Sequence, residues 1–446
     1  MIDIKSIRFM DTNAIITLVI AIVTFVGITC SILFFPHIYI KKIRIDTYWM
    51  IALLGALILL IFNFAPINVV AEEINNDNSI NPLKILVLFF SMTCMSIFLD
   101  ETGLFRYLAN KSTKIAKNNQ FLLLILLYLL TSILTVFTSN DVVILTLTPF
   151  ICFFCKNTKV NPLPYLVAEF AAANTWSMML IIGNPTNIYL ATSAGINFID
   201  YIKVMALPTL GAGIVEFLLI TLIFHKPLNE PINVEEDDYH IESKVDLVIG
   251  ATHLLVCLVF LVISSYINME MWLISLICAS SLLICIIIWR LITRRHWDYL
   301  YDSVRRLPYQ LVPFVISMFV IVVALNYQGI SSEIAKLLNS ANTVWGYGIS
   351  SFLAANVINN IPMSILFSSF PAGLQGADYY RAIYATIIGS NIGAFLTPLG
   401  ALAGIMFSNL TYKYGIKYGF RRFTKYGVLI SIPTIATSLL ILMLVL

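Results

Sequence analysis

Four short polar runs interrupt otherwise apolar stretches of this 446-residue chain: Ser139-Asn140-Asp141, Gly183-Asn184-Pro185-Thr186-Asn187, Asn359-Asn360-Ile361-Pro362 and Thr397-Pro398-Leu399-Gly400. Backbone left unpaired in hydrocarbon is strongly unfavourable, so such runs persist only where protein or a water-filled cavity supplies partners. A helix that restarts after a break presents free N–H groups and a partial positive charge, which suits an anion. Asn, Ser and Thr oxygens suit a cation. Ser139, Asn140, Asn184, Thr186, Asn187, Asn359, Asn360 and Thr397 are therefore the expected lining of a site for a small anion or oxyacid. Ser139, Asn140, Asn187 and Asn360 are the expected ligands of a sodium ion, the one cofactor-like group anticipated. No Lys or Arg lies deep in an apolar stretch, so anionic charge would be met by helix termini or a co-bound cation.

Asp141 is the carboxylate at a break, which marks it as the coupling group, a cation ligand or proton carrier that also caps the following helix. Glu169, in an apolar stretch without basic neighbours in sequence, is the second expected proton carrier. Glu216 reads as structural, Asp100 and Glu101 as solvated groups at an inner membrane edge, and His253 as a satisfied core histidine.

The elements that must carry these groups are membrane spans. Apolar residues make up 59% of the chain and charged ones 11%, where a soluble domain carries about 25% charged residues. Such a chain is solvated by lipid, which excludes a soluble enzyme. Its basic residues are scattered over short loops and form no nucleic-acid surface. The seven cysteines lie in or beside apolar segments and read as small hydrophobes; nothing around Cys152 and Cys155 resembles a redox fold. Asn13 to Phe35 is too long for a leader and lacks a small-residue cleavage site, so it reads as a span.

A helix needs about 20 apolar residues to cross the bilayer. About ten spans are expected: Ala14–Phe35, Tyr48–Val69, Ile85–Phe98, Tyr165–Ile182, Val204–Phe224, Val248–Ser265, Trp272–Trp289, Val312–Leu325, Ala382–Leu396 and Val428–Leu446. Phe121–Phe154 and Tyr347–Phe370 are long but interrupted. Six basic clusters, at 41–44, 106–117, 156–159, 226–244, 290–306 and 413–425, belong in the cytoplasm. Both flanks of Phe121–Phe154 then face inward, which makes it a re-entrant hairpin with two arms of roughly 15 residues, each too short to cross alone. Tyr347–Phe370, with few basic flanking residues, dips in from outside.

The halves repeat. Ser91, Met92 and Gly103 recur as Ser317, Met318 and Gly329 at one constant offset, each set followed by a polar connection, a broken hairpin and a helix ending at a proline break. The expected fold is an all-α polytopic membrane protein with two inverted-topology repeats, the usual build of a secondary transporter. Its divisions are residues 1–80 (N-terminal spans), 81–228 (first repeat), 229–246 (cytoplasmic linker), 247–308 (spans opening the second half), 309–427 (second repeat core) and 428–446 (last span).

These residues resemble the ion transporter superfamily from about Ile85 to Lys425, in its arsenite efflux permease, sodium/proton antiporter and divalent anion symporter branches, including CitMHS-type permeases. Ser139-Asn140-Asp141-Val142-Val143 with Leu147-Thr148-Pro149 is similar to the first hairpin of arsenite efflux permeases, as is Gly389-Ser390-Asn391-Ile392-Gly393 leading to Leu396-Thr397-Pro398-Leu399-Gly400-Ala401-Leu402-Ala403. Ile182 to Asn187 resembles the Gly-x-Pro-x-Asn form spread across the superfamily. The resemblance implies elevator-like or rocking alternating access, a homodimer as in several branches, and substrate held between the hairpin tips. It departs from the family in three ways. The carboxylate symporter signature Ser-Asn-Thr survives only as Ser139-Asn140. A Gly-rich turn is replaced by Asn174 to Met178, where Trp176 is expected to narrow or reshape the site. There is no cysteine trio for arsenite, which permeases of this type do not need.

The resulting expectation is ion-coupled transport of a small anion or oxyacid across the inner membrane, most like arsenite/antimonite efflux on the proton gradient. The alternatives are a sodium-coupled di- or tricarboxylate symporter such as one for citrate or succinate, and a sodium/proton antiporter. An intramembrane protease would need a second carboxylate opposite Asp141, where Asn360 aligns instead.

Overall fold

The computed structural model describes residues 11–35, 37–40, 43–75, 81–230, 232, 241, 243–264, 266–294, 298–340 and 342–446. The expected linker 229–246 falls largely outside them. The first half runs α1 (Thr12–Phe34), α2 (Tyr48–Ile61), α3 (Ile67–Asn75), α4 (Pro82–Glu101), α5 (Leu104–Ala116), α6 (Gln120–Phe137), α7 (Asn140–Thr158), α8 (Leu163–Trp176), α9 (Pro185–Ser193), α10 (Phe198–Ile223) and the short α11 (His225–Leu228). The second runs α12 (Lys244–Ile263), α13 (Met271–Thr293), α14 (Asp298–Arg305), α15 (Leu311–Tyr327), α16 (Ile330–Asn339), α17 (Thr343–Ile358), α18 (Asn360–Phe367), α19 (Ala377–Gly393), α20 (Leu402–Lys413) and α21 (Phe420–Val445). The architecture is helical, as expected, with one small addition. His37–Ile40 and Ile43–Asp46 pair antiparallel between α1 and α2, Ile40 opposite Ile43, where apolar residues alternate at a strand's period of two.

Helix ends are set by residues the sequence supplies in duplicate. Asn119 caps α6 by accepting from Leu122 N, and Asn342 caps α17 by accepting from Trp345 N. Gly103 and Gly329 take left-handed backbone (φ 83° and 73°) where α4 gives way to α5 and α15 to α16, a conformation that disfavours a side chain. The α15–α16 bend is 81°.

The repeats are inverted. Arg306, just before α15 begins, bonds Asp100 and Glu101 where α4 ends, and Gln328 at the end of α15 reaches Phe64 O after α2. The two copies also exchange partners: α2 and α1 pack on α15 of the other half, and α13 and α12 on α4. A second group, α6 to α10 with α17 to α21, holds both hairpins and both broken helices. In it α10 and α21, each 26 residues, lie against each other, with Ser438 Oγ bonding Pro208 O at 3.3 Å.

Among the described residues eight helices are long and apolar enough to cross a membrane singly, and apolar side chains such as Ile61 and Ile292 face outward at 74% and 72% exposure, into lipid. Setting aside the hairpin arms α6 and α7, and counting α15, the broken spans α8–α9 and α19–α20, and α2 as a short one, leaves about ten spans beside the hairpins among the described residues, as expected. Three details differ from expectation. The arms of the first hairpin, 18 and 19 residues, run longer than anticipated, because α6 starts at its Asn119 cap and α7 continues to Thr158. Either arm could cross alone; burial of Ser139 and Asn140 is what keeps the tip inside the protein. The expected span Tyr48–Val69 ends as a helix at Ile61, where Phe62 to Phe64 turn before α3. Asp100, anticipated at a solvated edge, is buried, because its partner Arg306 arrives from 206 residues further along the chain. His253 behaves as anticipated, its ring nitrogens 2.8 Å from Ile249 O and 3.3 Å from Ser281 Oγ.

Candidate substrate site

The first hairpin tip turns over Thr138 and Ser139, and α7 restarts at Asn140 with Asp141 in its first turn, where a helix N-terminus favours negative charge. Asn140 Nδ2 donates to Asn174 Oδ1 at 3.3 Å, and its Oδ1 accepts from Asp141 N at 2.9 Å. The Ser139 hydroxyl is buried without a partner among the described residues, as are those of Thr131 and Thr135 on the preceding arm. Asp141 lines a cavity of about 540 Å³ whose walls include Asp46, Tyr48, Arg305 and residues 307–311 before and at the start of α15, and Leu402, Ile405, Met406 and Asn409 on α20. The cavity therefore lies between the α2/α15 wall and the bundle that holds the hairpins.

The first broken helix leaves α8 at Trp176, makes two tight turns over Ser177–Met179 and Ile181–Gly183, and restarts at Pro185, the first helical position proline favours. A Cβ on Gly183 would lie 2.2 Å from Ser177 O, so the turn closes only with glycine. Asn184 caps α9 through Thr186 N at 3.2 Å. Asn187 Nδ2 donates to Ser177 O at 2.8 Å. A residue of the other half completes this region. Asn391 on α19 donates to Asn187 Oδ1 at 2.6 Å and accepts from Asn184 Nδ2 at 2.9 Å and Ser177 Oγ at 2.8 Å. Asn184 and Asn187, expected to face substrate, are thus engaged in a bridge between the halves. The Thr186 hydroxyl is buried and unpartnered among the described residues.

The second tip is closed by its own broken helix. Asn359, with φ 70°, donates from Nδ2 to Leu399 O at 3.3 Å, and Asn360 N donates to Gly400 O at 3.0 Å. Asn356, one turn earlier, donates to Gly393 O and accepts from Thr397 N and Oγ1 at 3.1 and 2.7 Å. Thr397 is therefore a brace for this turn, while the Asn360 side-chain amide makes no hydrogen bond among the described residues. Of the four oxygens nominated for sodium, those of Ser139 and Asn360 are open, whereas Asn140 and Asn187 already have partners. Among the described residues no three His, Cys, Asp or Glu side chains cluster as a metal site.

Glu169 is buried on α8 and accepts from Thr148 Oγ1 at 2.8 and 3.0 Å. It lies about two turns of α7 below Asp141 and outside the cavity that Asp141 lines. Trp176, expected to narrow the site, turns away: its Nε1 donates to Tyr128 Oη at 3.1 Å and its ring packs on Gly213. Asn356 and Asn391 were missed as site residues because an Asn inside a helical run reads as helix; the Gly-Ser-Asn-Ile-Gly stretch around Asn391 was the available signal.

The model of the citrate transporter family matches residues 40–378. An arsenical pump membrane protein of Escherichia coli (strain K12) is 24% identical over 362 residues, covering 79% of this chain and 84% of its own. An uncharacterised transporter of Synechocystis is 24% identical over 420 residues, covering 87% and 90%. Among solved structures, the YdaH transporter of Alcanivorax borkumensis, described as having an unusual topology, is similar with a TM-score of 0.52 and 12% identity over 96% of this chain and 97% of its own.

Proposed function

This chain belongs to the citrate transporter family, a multi-pass membrane transporter, and from that premise we propose that it carries a small uncharged oxyacid, arsenite or antimonite in type, out of the cell in exchange for protons. The supporting observation is the charge of the cavity that ends on Asp141. Among the described residues its lining carries two carboxylates, Asp46 and Asp141, and one cation, Arg305, and of these Asp141 is the one at the hairpin tip. A citrate or succinate ion approaching the tip meets the Asp141 carboxylate, which is costly away from bulk water, whereas arsenous acid, uncharged near neutral pH, does not. Names of relatives point the same way, since several are arsenical pump membrane proteins.

Access follows from the two cavities. The one at Asp141 opens between the start of α15 and α20, on the face the basic clusters assign to the cytoplasm. A second, of about 370 Å³, lies at the start of α4, walled by Lys84, Glu270, Trp272 and the α9–α10 connection, and none of its walls is a hairpin tip. Substrate would enter from the cytoplasm against the first tip, with Asp141 exchanging a proton or ligating the co-bound cation, and leave when the bundle shifts along the α4/α15 wall.

One observation favours a second reading, a sodium-coupled carboxylate symporter: the open oxygens of Ser139 and Asn360 are sodium ligands in kind. Thermal unfolding of the purified protein with arsenite, antimonite, citrate, succinate and sulfate, each with and without sodium, separates the two. A ligand at a hundredfold excess over its dissociation constant stabilises the fold by about 2.7 kcal/mol. Stabilisation by arsenite or antimonite regardless of sodium supports oxyacid export; stabilisation by a carboxylate only with sodium replaces it with symport.

A further inference from the structure

Glu216 stands outside the site described above. It is fully buried on α10 and makes no ion pair among the described residues. Thr175 Oγ1 donates to its Oε2 in a short hydrogen bond. Tyr128 Oη lies 3.0 Å from Oε1 and 2.8 Å from Gly213 O, and accepts from Trp176 Nε1 at 3.1 Å.

Counting protons decides what these distances mean. Gly213 O can only accept and Trp176 Nε1 can only donate. Tyr128 has a single proton, so it cannot serve Gly213 O and a carboxylate together. With the acid form at Glu216 every group is matched: Oε1–H donates to Tyr128, Tyr128 donates to Gly213 O, and Trp176 donates to the second lone pair of Tyr128. With the carboxylate form the Tyr128 proton must turn to Glu216, and the 2.8 Å approach to Gly213 O is left without a proton between two oxygens.

The two states differ where α8 breaks. Thr175 and Trp176, the groups held by Glu216 and Tyr128, are its last two helical residues. The residue before them, Asn174, receives the hairpin tip through Asn140, and the residue after them, Ser177, donates to Asn391. We propose that Glu216 is a proton-binding site of the transport cycle, and that loading and unloading it resets the end of α8 against the first hairpin tip. This rests on the proton-coupled reading above.

Few other titratable groups face it. On α6 it is Tyr128 itself. On α8, Glu169 bonds Thr148 and Tyr165 bonds Gln120. On α12, Asp246 pairs with Arg290, His253 with Ser281 and Cys257 with Met92. On α21, Tyr426 stacks on Phe224, and the basic residues Arg421, Arg422 and Lys425 lie in the first turns, far from Glu216 along the helix. The corresponding helix of the other half, α21, carries no carboxylate, so this feature belongs to one half only.

Infrared difference spectra of substrate-free protein between acid and alkaline pH read which carboxyls gain or lose a proton, whatever is transported. Wild type is expected to show a titrating carboxyl C=O band that Glu216→Gln removes and Glu169→Gln leaves. In vesicles, Glu216→Gln is expected to flatten the pH profile of flux. Tyr128→Phe, which keeps the ring, is expected to shift the band and the profile, and it carries the test should the Gln variant fail to fold. A titrating band unchanged in the variants, or an unchanged pH profile, overturns the proposal. If wild type moves no arsenite or antimonite, the spectra still decide Glu216, so the two readings fail separately.

Discussion

At the second hairpin tip, Asn359 and Asn360 bond Leu399 and Gly400, and Asn356 holds Gly393 and Thr397. At the first, Asn140 reaches another helix only through a 3.3 Å contact to Asn174 and otherwise accepts from its neighbour Asp141 N, Ser139 leaves a buried hydroxyl open among the described residues, and Asp141 looks into the cavity. The two tips occupy the same place in the two repeats. One has become a latch, through Asn356, Asn359 and the Asn360 backbone, with the Asn360 side-chain amide as its open group among the described residues, and the other has kept more of its polar groups available. Duplication supplies two breaks with the same backbone problem; satisfying one internally leaves the other to satisfy its groups with a ligand.

Four substitutions test that contrast, from the largest effect down. Asp141→Asn removes the charge at the open tip and is expected to lower proton-driven flux by roughly 10²-fold or more, with the protein still inserted; pH-driven uptake into everted vesicles measures it, and undiminished flux would return Asp141 to a capping role. Asn391→Ala cuts three side-chain bonds between the halves, so an apparent stability loss of about 2–3 kcal/mol is expected in detergent unfolding. Asn356→Ala loosens only the latch, by about 1–2 kcal/mol on the same measurement. Asn140→Ala is expected to change stability least, by about 1 kcal/mol or less, since it gives up one long bond to Asn174 and one to the N–H of its own neighbour Asp141. If Asn140→Ala proved as damaging as Asn356→Ala, the two tips would be equally braced and the contrast would fail.

Much of this was legible in the chain. Spans, hairpins and breaks follow from apolar length and from Asn, Pro and Gly placed at membrane depth, signals that are local in sequence. The capping asparagines and the left-handed glycines recur in both halves for the same reason. What escaped is what depends on distant partners. Asp100 looked solvated because Arg306 was out of view, and Asn184 and Asn187 looked free because Asn391 was out of view. Trp176 looked like an obstruction because nothing in the sequence places Tyr128 and Gly213 beside it. Residue type revealed where polar groups must be compensated, but not which of them already are.

The Asn391 bridge bears on how the molecule is made. Ser177, Asn184 and Asn187 are synthesised some two hundred residues before the side chain that completes their bonds. Until α19 enters the bilayer, the first broken helix lies with unmatched amides in hydrocarbon, so the N-terminal half emerging from the ribosome is an unfinished object. An amino-terminal fragment expressed alone should then be short-lived in the cell and be rescued by co-expression of the remainder, and truncation upstream of α19 should expose the whole chain to membrane proteolysis.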